Sequence, residues 1–267
     1  MIELSSGAAR ATISPERGAI VTRWFSEQEL LYLDEATFRD PSKNVRGGIP
    51  VLFPSPGKLT GDRYPRGSMK QHGFARNVAW TVVERNISSA RLALSSSEET
   101  RAQYPWDFRA ELAVTLGERS LRLEQRVTAA TSNTEPMPFG FGFHPYFAVP
   151  VDEKAATTIE TSATRAFDNV RKANIDLHGI DLAAGEVDLH LLDHDCTESE
   201  LAWFAGTTRV RVRASPDYRR WVIWTLPEKP FVCLEPWTCP GDALNTGEGL
   251  ITLAPGATWD GFVELTT

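Results

Sequence analysis

Apolar and polar residues alternate along most of the chain, as in β-strands that bury one face. Leu112, Val114 and Leu116 alternate with small or polar neighbours. After the turn Gly117–Ser120 the alternation resumes in Leu121–Val127, which predicts an antiparallel hairpin. Similar runs predict further short strands at Val78–Val83, Ala90–Ser95, Thr208–Ala214, Trp221–Thr225 and Gly261–Thr266.

Helix signals are scarce. Ser96–Ala102 predicts one short helix, capped by serine and ended before Pro105. No alternation of strands with long helices occurs, which argues against a parallel α/β fold. The number of short strands predicts an all-β fold, a large antiparallel β-sandwich. Because no linker, repeat or low-complexity segment interrupts the strands, we expect residues 1–267 to form one domain.

Composition narrows the functional classes. Hydrophobic residues make up 42% and charged residues 24%, which is ordinary for a globular protein. The net charge of −7 argues against a nucleic-acid-binding protein, since neutralising phosphates requires a basic face. No apolar run approaches the ~20 residues that span a bilayer. Met1–Leu4 does not begin a signal peptide, so we expect a cytoplasmic protein.

The three cysteines give no sign of a disulfide framework or a metal site. Cys196, Cys233 and Cys239 are few for a chain of this length. The spacing of the last two exceeds that of paired zinc thiolates. We interpret all three as small buried apolar residues.

Four segments break the alternation without being polar turns, and violations of this kind tend to mark functional sites. They combine glycines, prolines and aromatic residues with a few charged or titratable side chains. These segments are Arg46–Gly57, Gln71–Asn77, Pro138–Phe147 and Phe231–Trp237.

Basic side chains distinguish the first two segments. Arg46 precedes Gly47, Gly48 and a proline-rich apolar run. Such glycines let the backbone come close to a ligand, with Arg46 directed into the same space. The alternative is a purely structural crossover loop. His72 and Arg76 share one short loop, and we interpret both as candidate site residues.

The other two segments place a histidine and a carboxylate in apolar surroundings. In Pro138–Phe147, Phe alternates with Gly, which predicts aromatic groups on one face and bare backbone on the other, where a large group could approach. His144 lies between aromatic residues and prolines, so we expect a shifted pKa. Glu235 lies in an apolar strand, and a buried carboxylate requires a partner or a function. We expect Pro236 to end that strand and leave Glu235 at the rim of a sheet.

A histidine and a carboxylate that converge on a cleft form a general acid–base pair. The sequence contains no motif of a serine hydrolase, an NTPase or a zinc protease. His190 and His194 would need helical spacing to bind a metal together, but Val187–Leu192 alternates like a strand. We therefore expect a surface strand there and no metal site.

Four motifs together resemble the aldose 1-epimerase (mutarotase) family, and most closely its hexose-6-phosphate mutarotase branch. The match in order and approximate spacing extends from roughly residue 40 to the end of the chain. The motifs are Arg46-Gly47-Gly48-Ile49-Pro50 with Phe53-Pro54, His72-Gly73-Phe74-Ala75-Arg76 with Trp80, His144-Pro145-Tyr146-Phe147, and Glu235-Pro236-Trp237. The resemblance implies a galactose-mutarotase-like β-sandwich with a sugar cleft on one sheet. It also implies interconversion of the α and β anomers of an aldose without a cofactor.

The resemblance also implies roles for individual residues. Glu235 is expected to be the base that takes the proton from the C1 hydroxyl, and His144 the acid that protonates the ring oxygen. His72 is expected to bind the sugar near the ring oxygen and help to polarise it. Arg46 and Arg76 match the arginines that meet the phosphate in the hexose-6-phosphate branch, a task that suits bidentate guanidinium groups.

The resemblance is weaker for the remaining site residues. The substrate-binding aspartate of the family falls within Asp188–Asp195; we choose Asp193, with Asp188 as the competing position. Trp237 is the candidate for stacking on a sugar face. The expected partner is a small-molecule sugar or sugar phosphate, with no nucleic acid and no membrane. The sequence does not predict which sugar is bound or the oligomeric state.

Two other functions are compatible with such a fold. A non-catalytic carbohydrate-binding β-sandwich would need aromatic and polar groups at its cleft, but not both His144 and Glu235. A glycoside hydrolase would need two carboxylates across the scissile bond, whereas only one carboxylate here lies in an apolar context.

Overall fold

The computed structural model describes all 267 residues and consists mainly of β-strands. In chain order the strands are β1 (Ile2–Ser6), β2 (Ala9–Ser14), β3 (Ile20–Ser26), β4 (Gln28–Glu29), β5 (Val51–Leu52), β6 (Arg63–Tyr64), β7 (Gly67–Ser68), β8 (Thr81–Arg85), β9 (Ser89–Ser95), β10 (Phe108–Leu116), β11 (Ser120–Ala129), β12 (Met137–Phe139), β13 (Gly142–Phe143), β14 (Tyr146–Phe147), β15 (Thr158–Glu160), β16 (Arg165–Asp168), β17 (Ala173–Asp176), β18 (Val187–Leu191), β19 (Glu198–Trp203), β20 (Thr208–Ala214), β21 (Arg220–Thr225), β22 (Val232–Trp237), β23 (Ile251–Leu253) and β24 (Thr258–Thr266). The short helices are α1 (Glu35–Arg39), α2 (Glu98–Arg101) and α3 (Ala243–Thr246), with 3₁₀-helices at Pro15–Arg17, Thr60–Asp62, Ala75–Asn77 and Val151–Ala156.

Two eight-stranded sheets dominate the fold. The back sheet has the order β15-β19-β20-β24-β11-β10-β9-β8. The front sheet has the order β17-β16-β18-β21-β22-β13-β5, with β14 also beside β22. Strands β1 to β4 form a smaller sheet, and β12–β23 and β6–β7 are two-stranded. Every pairing between these strands is antiparallel, which confirms the predicted all-β class.

The hairpin predicted from the alternation is β10–β11, in the centre of the back sheet. Its register runs from Phe108 opposite Ala129 to Leu116 opposite Leu121. The alternating apolar residues of both strands are buried, and the residues between them are exposed or half-buried. Period-two hydrophobicity therefore sets which face of this sheet points inward.

The core lies between the two large sheets. One cluster of 59 buried residues includes members of both sheets and of β1 to β3. Phe53, next to β5, contacts Phe108 of β10 with ring centroids 5.1 Å apart. Trp259 of β24 packs against Phe141, with ring centroids 5.9 Å apart. Because the inner face of the front sheet is filled by this core, its outer face is available for a cleft.

Some local expectations hold and one does not. Ser97 caps α2: its hydroxyl accepts from the Thr100 amide at 3.3 Å, and the Thr100 hydroxyl accepts from the Ser97 amide at 2.8 Å. All three cysteines are free, but Cys196 is exposed rather than buried, because it lies in the connection between β18 and β19. None of the helices has the length and apolar composition needed to cross a bilayer.

Candidate active site

A cleft of about 1060 Å³ lies on the outer face of the front sheet. Strands β18, β21 and β22 form its floor, and the loops that precede β5 and β8 line it as well. Of the residues to which the sequence assigned a candidate role, seven line this cleft: Arg46, His72, Arg76, His144, Asp188, Glu235 and Trp237. Asp193 does not.

Strand β22 carries the carboxylate of the site. Val232 and Leu234 point into the main core, whereas Glu235 and Trp237 line the cleft on the opposite face. The strand continues to Trp237, so the expectation that Pro236 ends it is wrong. On one flank, β22 pairs with β14 at its start and with β13 at Trp237, and the stretch between these two pairings has no partner strand. Pro236, which has no backbone N–H to donate, fits there. Glu235 is therefore in the middle of a sheet and not at its rim.

His144 and Glu235 form a buried pair. His144 lies between β13 and β14, and its Nε2 is 3.4 Å from Oε1 of Glu235. The second carboxylate oxygen accepts a hydrogen bond from Nε1 of Trp237 at 3.1 Å. The imidazole stacks on the ring of Tyr146, with centroids 4.6 Å apart and planes 8° apart. Stacking and hydrogen bonding thus fix both catalytic candidates in one orientation.

Burial shifts the pKa values of this pair in opposite directions. Desolvation, followed by the negative charge of Asp188, raises the pKa of Glu235 well above its ordinary value. Desolvation, followed by the nearby His72 and Arg76, lowers the pKa of His144 well below its ordinary value. Both shifts disfavour charge in the apolar surroundings. The two groups therefore hold one proton between them over a wide pH interval, which leaves one proton donor and one acceptor beside the cleft.

His72 reaches the cleft from a strained backbone. Its φ is +72°, in the left-handed region that a non-glycine residue seldom adopts. The ring Nδ1 donates to the carbonyl of Pro56, because a carbonyl can only accept. Burial, with a smaller contribution from Arg76, lowers the pKa of His72 to about 3. The neutral ring consequently offers Nε2 to a ligand as an acceptor, so it cannot polarise a ring oxygen by donating to it.

The structure brings Asp188, and not Asp193, to the cleft. Val187, Leu189 and Leu191 of β18 face inward, so the intervening Asp188 and His190 face outward into the cleft. The Asp188 carboxylate lies 3.3 Å from Nε2 of His190. It also accepts a hydrogen bond from Nδ2 of Asn169 at 2.6 Å. Although burial acts to raise the pKa of Asp188, these two contacts outweigh it and the pKa is lowered. The group is a carboxylate held in place at neutral pH.

Asp193 is occupied outside the cleft. It follows the end of β18, and Oδ1 accepts from the amides of Thr164 and Arg165, each at 3.0 Å. The Thr164 hydroxyl donates to its other oxygen at 2.7 Å. These bonds, led by that of the Thr164 side chain, lower the pKa of Asp193 to about 2. Its carboxylate is held by Thr164 and by the Arg165 amide and does not line the cleft, whereas Asp188 does, which corrects the choice of Asp193.

Neither cleft arginine has an acidic partner. No carboxylate lies within 4.0 Å of Arg46 or Arg76, whereas Arg220 of the same cleft pairs with Glu248. One terminal nitrogen of Arg76 donates to the carbonyl of Gln71 at 3.0 Å, but Nε is buried without a partner. Burial lowers the pKa of Arg76, against the opposing effects of Tyr146 and Glu235. An anionic ligand would satisfy both guanidinium groups.

The glycines that were expected to let a ligand approach the backbone are packed against other protein atoms instead. A Cβ on Gly47, whose φ is +133°, would lie 2.5 Å from the Cα of Leu33. A Cβ on Gly142 would lie 2.8 Å from Cδ1 of Trp237 and 3.0 Å from Cβ of Pro56. The bare face between the phenylalanines thus accommodates Pro56, whose carbonyl holds His72.

Comparison with known proteins identifies the family. The family model described as aldose 1-epimerase matches residues 1–266. The chain belongs to the aldose 1-epimerase family.

Several relatives illustrate the breadth of this family. The Slr1438 protein of Synechocystis sp. PCC 6803 superposes with a TM-score of 0.95 at 33% identity, covering 99% of this chain and 94% of that one. A galactose mutarotase-like protein from Lactobacillus casei superposes with a TM-score of 0.82 at 23% identity, covering 100% and 99%. A protein of Cenchrus ciliaris named "Putative glucose-6-phosphate 1-epimerase" is 27% identical over 93% of this chain and 78% of its own length. The galactose-mutarotase-like fold is thereby confirmed.

Several residues that line the cleft were not predicted as substrate-site residues. They are Asn169, Tyr146, Trp224 and His190, the last of which was considered only as a metal ligand. The cleft position of His190 could have been predicted from the alternation of β18, because His190 alternates with leucines that face inward. His194 lies elsewhere, between Thr161 and the carbonyl of Glu198, so the two histidines do not meet.

Proposed function

We propose that this protein is a mutarotase that interconverts the α and β anomers of a hexose 6-phosphate. The observation that carries the proposal is the buried His144–Glu235 pair, which holds one proton beside a cleft also lined by two arginines without acidic partners. Mutarotation removes one proton from the sugar and adds one elsewhere, so this pair suffices for the chemistry.

Ring opening requires the two groups to act on different oxygens. The pKa shifts of the empty site leave the proton of the pair on Glu235, so the reactive form is the one in which that proton has passed to His144. In that form the Glu235 carboxylate takes the proton from the C1 hydroxyl, while the His144 imidazolium protonates the ring oxygen. The C1–O5 bond breaks and the C1 aldehyde forms. After rotation about C1–C2 the steps reverse on the other face of the carbonyl, which returns both protons and gives the second anomer. The buried surroundings strengthen these charge–dipole interactions by excluding water.

Neighbouring side chains orient the sugar. His72 accepts a hydrogen bond from a sugar hydroxyl through Nε2, since Nδ1 is committed to Pro56. Asp188, held by His190 and Asn169, accepts from a second hydroxyl and takes the role first considered for Asp193. Trp237 lines the cleft beside both histidines and offers an apolar surface to the C–H face of the ring.

The phosphate proposal rests on Arg46 and Arg76, on the family resemblance of these positions, and on the printed name of the Cenchrus ciliaris relative. Planar guanidinium groups bind phosphate through paired hydrogen bonds. A phosphate bound by these arginines would anchor the sugar in the cleft beside the acid–base pair, which Arg76 is near enough to influence electrostatically.

The test is anomeric exchange measured by proton NMR saturation transfer with glucose, galactose and glucose 6-phosphate side by side. We expect the purified protein to accelerate exchange most for the phosphate ester. Faster exchange of free sugars alone would overturn the phosphate assignment and keep the mutarotase. Binding of the sugars without any acceleration would instead favour a non-catalytic carbohydrate-binding protein.

A further inference from the structure

A third possible metal ligand, the sulfur of Cys233, lies next to the His144–Glu235 pair. The side chain of Cys233 projects from β22 on the same side as Glu235, two residues away. One donor atom each from His144, Cys233 and Glu235 lies within 4.8 Å of the others. All three residues are buried, and the sulfur plays no part in the reaction proposed above.

The separations come close to those of a tetrahedral site. A tetrahedral Zn²⁺ with bonds of about 2.0 Å holds its nitrogen and oxygen ligands roughly 3.3 Å apart. Nε2 of His144 and Oε1 of Glu235 are 3.4 Å apart. With a Zn–S bond of about 2.3 Å the sulfur would lie roughly 3.6 Å from each of them, a shift of about 1 Å.

The donor set and its surroundings also suit a borderline-soft cation. Imidazole, thiolate and carboxylate are the three ligand types that Zn²⁺ takes in proteins. The cleft in front of His144 and Glu235 leaves the fourth position open to water or a ligand hydroxyl. Burial, followed by Glu235, raises the pKa of the Cys233 thiol well above its ordinary value, and Lys154 only partly opposes this shift. The thiol proton leaves when the cation binds.

We propose that His144, Cys233 and Glu235 form an inhibitory binding site for Zn²⁺ or a similar borderline-soft divalent cation. The cation takes up the imidazole lone pair and the carboxylate, so it removes acid and base together. Hard cations such as Mg²⁺ are excluded, because they prefer six oxygen ligands. The inhibitory effect rests on the proposed mutarotase function, whereas the binding itself does not.

Cobalt spectroscopy tests the binding independently of catalysis. Wild-type protein is titrated with Co²⁺, and the near-ultraviolet charge-transfer band of a Co²⁺–thiolate bond is followed. We expect the band in the wild type and its loss in Cys233→Ala. The matched controls are Cys239→Ala, which removes the other buried thiol, and Cys196→Ser, which removes the exposed thiol. Absence of the band from the wild type, its survival in Cys233→Ala, or its loss in Cys196→Ser would overturn the site.

Exchange kinetics then test the inhibition. Saturating Zn²⁺ is expected to slow wild-type exchange about 10²-fold or more, and a chelator is expected to restore it. Mg²⁺ is expected to have no effect. Cys233→Ala should exchange anomers like the wild type but resist Zn²⁺; equal inhibition of this variant would contradict the proposal. Zinc absorption fine structure on the wild type adds a check that needs no variant: one sulfur ligand is expected, and nitrogen and oxygen ligands alone would overturn the site.

Discussion

The outer faces of the two large sheets carry charged residues in opposite ways. On the back sheet, arginines and carboxylates pair across neighbouring strands in water: Arg213 lies 2.7 Å from Glu264, and Arg126 lies 2.7 Å from Asp260. On the front sheet, Glu235 is 1% exposed, has the imidazole of His144 as its one basic neighbour within 4.0 Å, and lies under a cleft.

This comparison distinguishes charged residues that only keep a surface in water from a charged residue that is placed for catalysis. Exposed ion pairs contribute little to stability and are interchangeable. A buried carboxylate with a strongly raised pKa lowers stability, so its retention indicates a functional role. The following predictions set the two faces against each other, from the largest effect to the smallest.

Glu235→Gln should have the largest effect. The amide keeps the shape of the side chain but cannot take a proton, so anomeric exchange should fall by about 10²–10⁴-fold. Saturation-transfer NMR measures the rate, and isothermal calorimetry with glucose 6-phosphate measures the binding that should remain. Exchange at the wild-type rate would remove Glu235 from the mechanism.

The same substitution should stabilise the fold, in a pH-dependent way. The raised pKa means that folded Glu235 stays protonated at pH values where the unfolded chain already ionises. The wild type therefore loses stability, relative to a neutral glutamine, as the pH rises above its ordinary carboxyl pKa. We expect the variant to melt at a higher temperature than the wild type at pH 8, with the difference shrinking towards pH 4.5. A constant difference would show that ionisation is not its cause.

Arg46→Ala and Arg76→Ala come next. Each removes a charged donor that has no acidic partner in the cleft, and losing such a bond to an anion costs about 1.5–3 kcal/mol. The preference of kcat/KM for phosphorylated over free sugar should fall by roughly 10–100-fold. Arg219→Ala, an exposed arginine outside the cleft, is the control and should leave the preference intact. An unchanged preference in both cleft variants would remove the phosphate assignment.

Two aspartates provide a paired test within the front sheet. Asp188→Asn should lower kcat/KM about tenfold or more, because a charged acceptor for a sugar hydroxyl is lost. Asp193→Asn should leave kcat/KM unchanged and affect only the melting temperature, since its oxygens bind Thr164 and the Arg165 amide. The reverse outcome would restore Asp193 as the substrate ligand.

The smallest effect belongs to the back sheet. Arg213→Ala breaks an exposed ion pair with Glu264, and we expect a shift of less than about 4 °C in the melting temperature and no change in exchange. A loss of activity here would mean that the two faces are coupled.

The sequence predicted a strand well when one face of the strand is exposed to solvent, and poorly when both faces are buried. β20 spans Thr208–Ala214 as predicted, because one of its faces is solvated and the alternation is visible. β22 is buried on both faces, so its sequence is nearly continuous in apolar residues and the position of its end was misjudged.

The site shows the same limit. His144 and Glu235 were found because titratable groups are conspicuous in apolar runs. Asp188, named as the competing position, could have been preferred to Asp193 because it alternates with the inward-facing residues of β18. The acceptor role of His72 instead depends on a carbonyl 16 residues away in the chain. No local pattern reveals that contact, since it forms only when two loops meet.

The missing side chain at Gly142 has a consequence for sequence comparison. Trp237 and Pro56 occupy the space where its Cβ would be, and Pro56 in turn holds His72. A methyl group added there would push the loop outward and turn an intact imidazole away from the sugar. A homologue with a larger residue at this position would then be inactive although it keeps every motif of the family, because of a residue that does not contact the substrate.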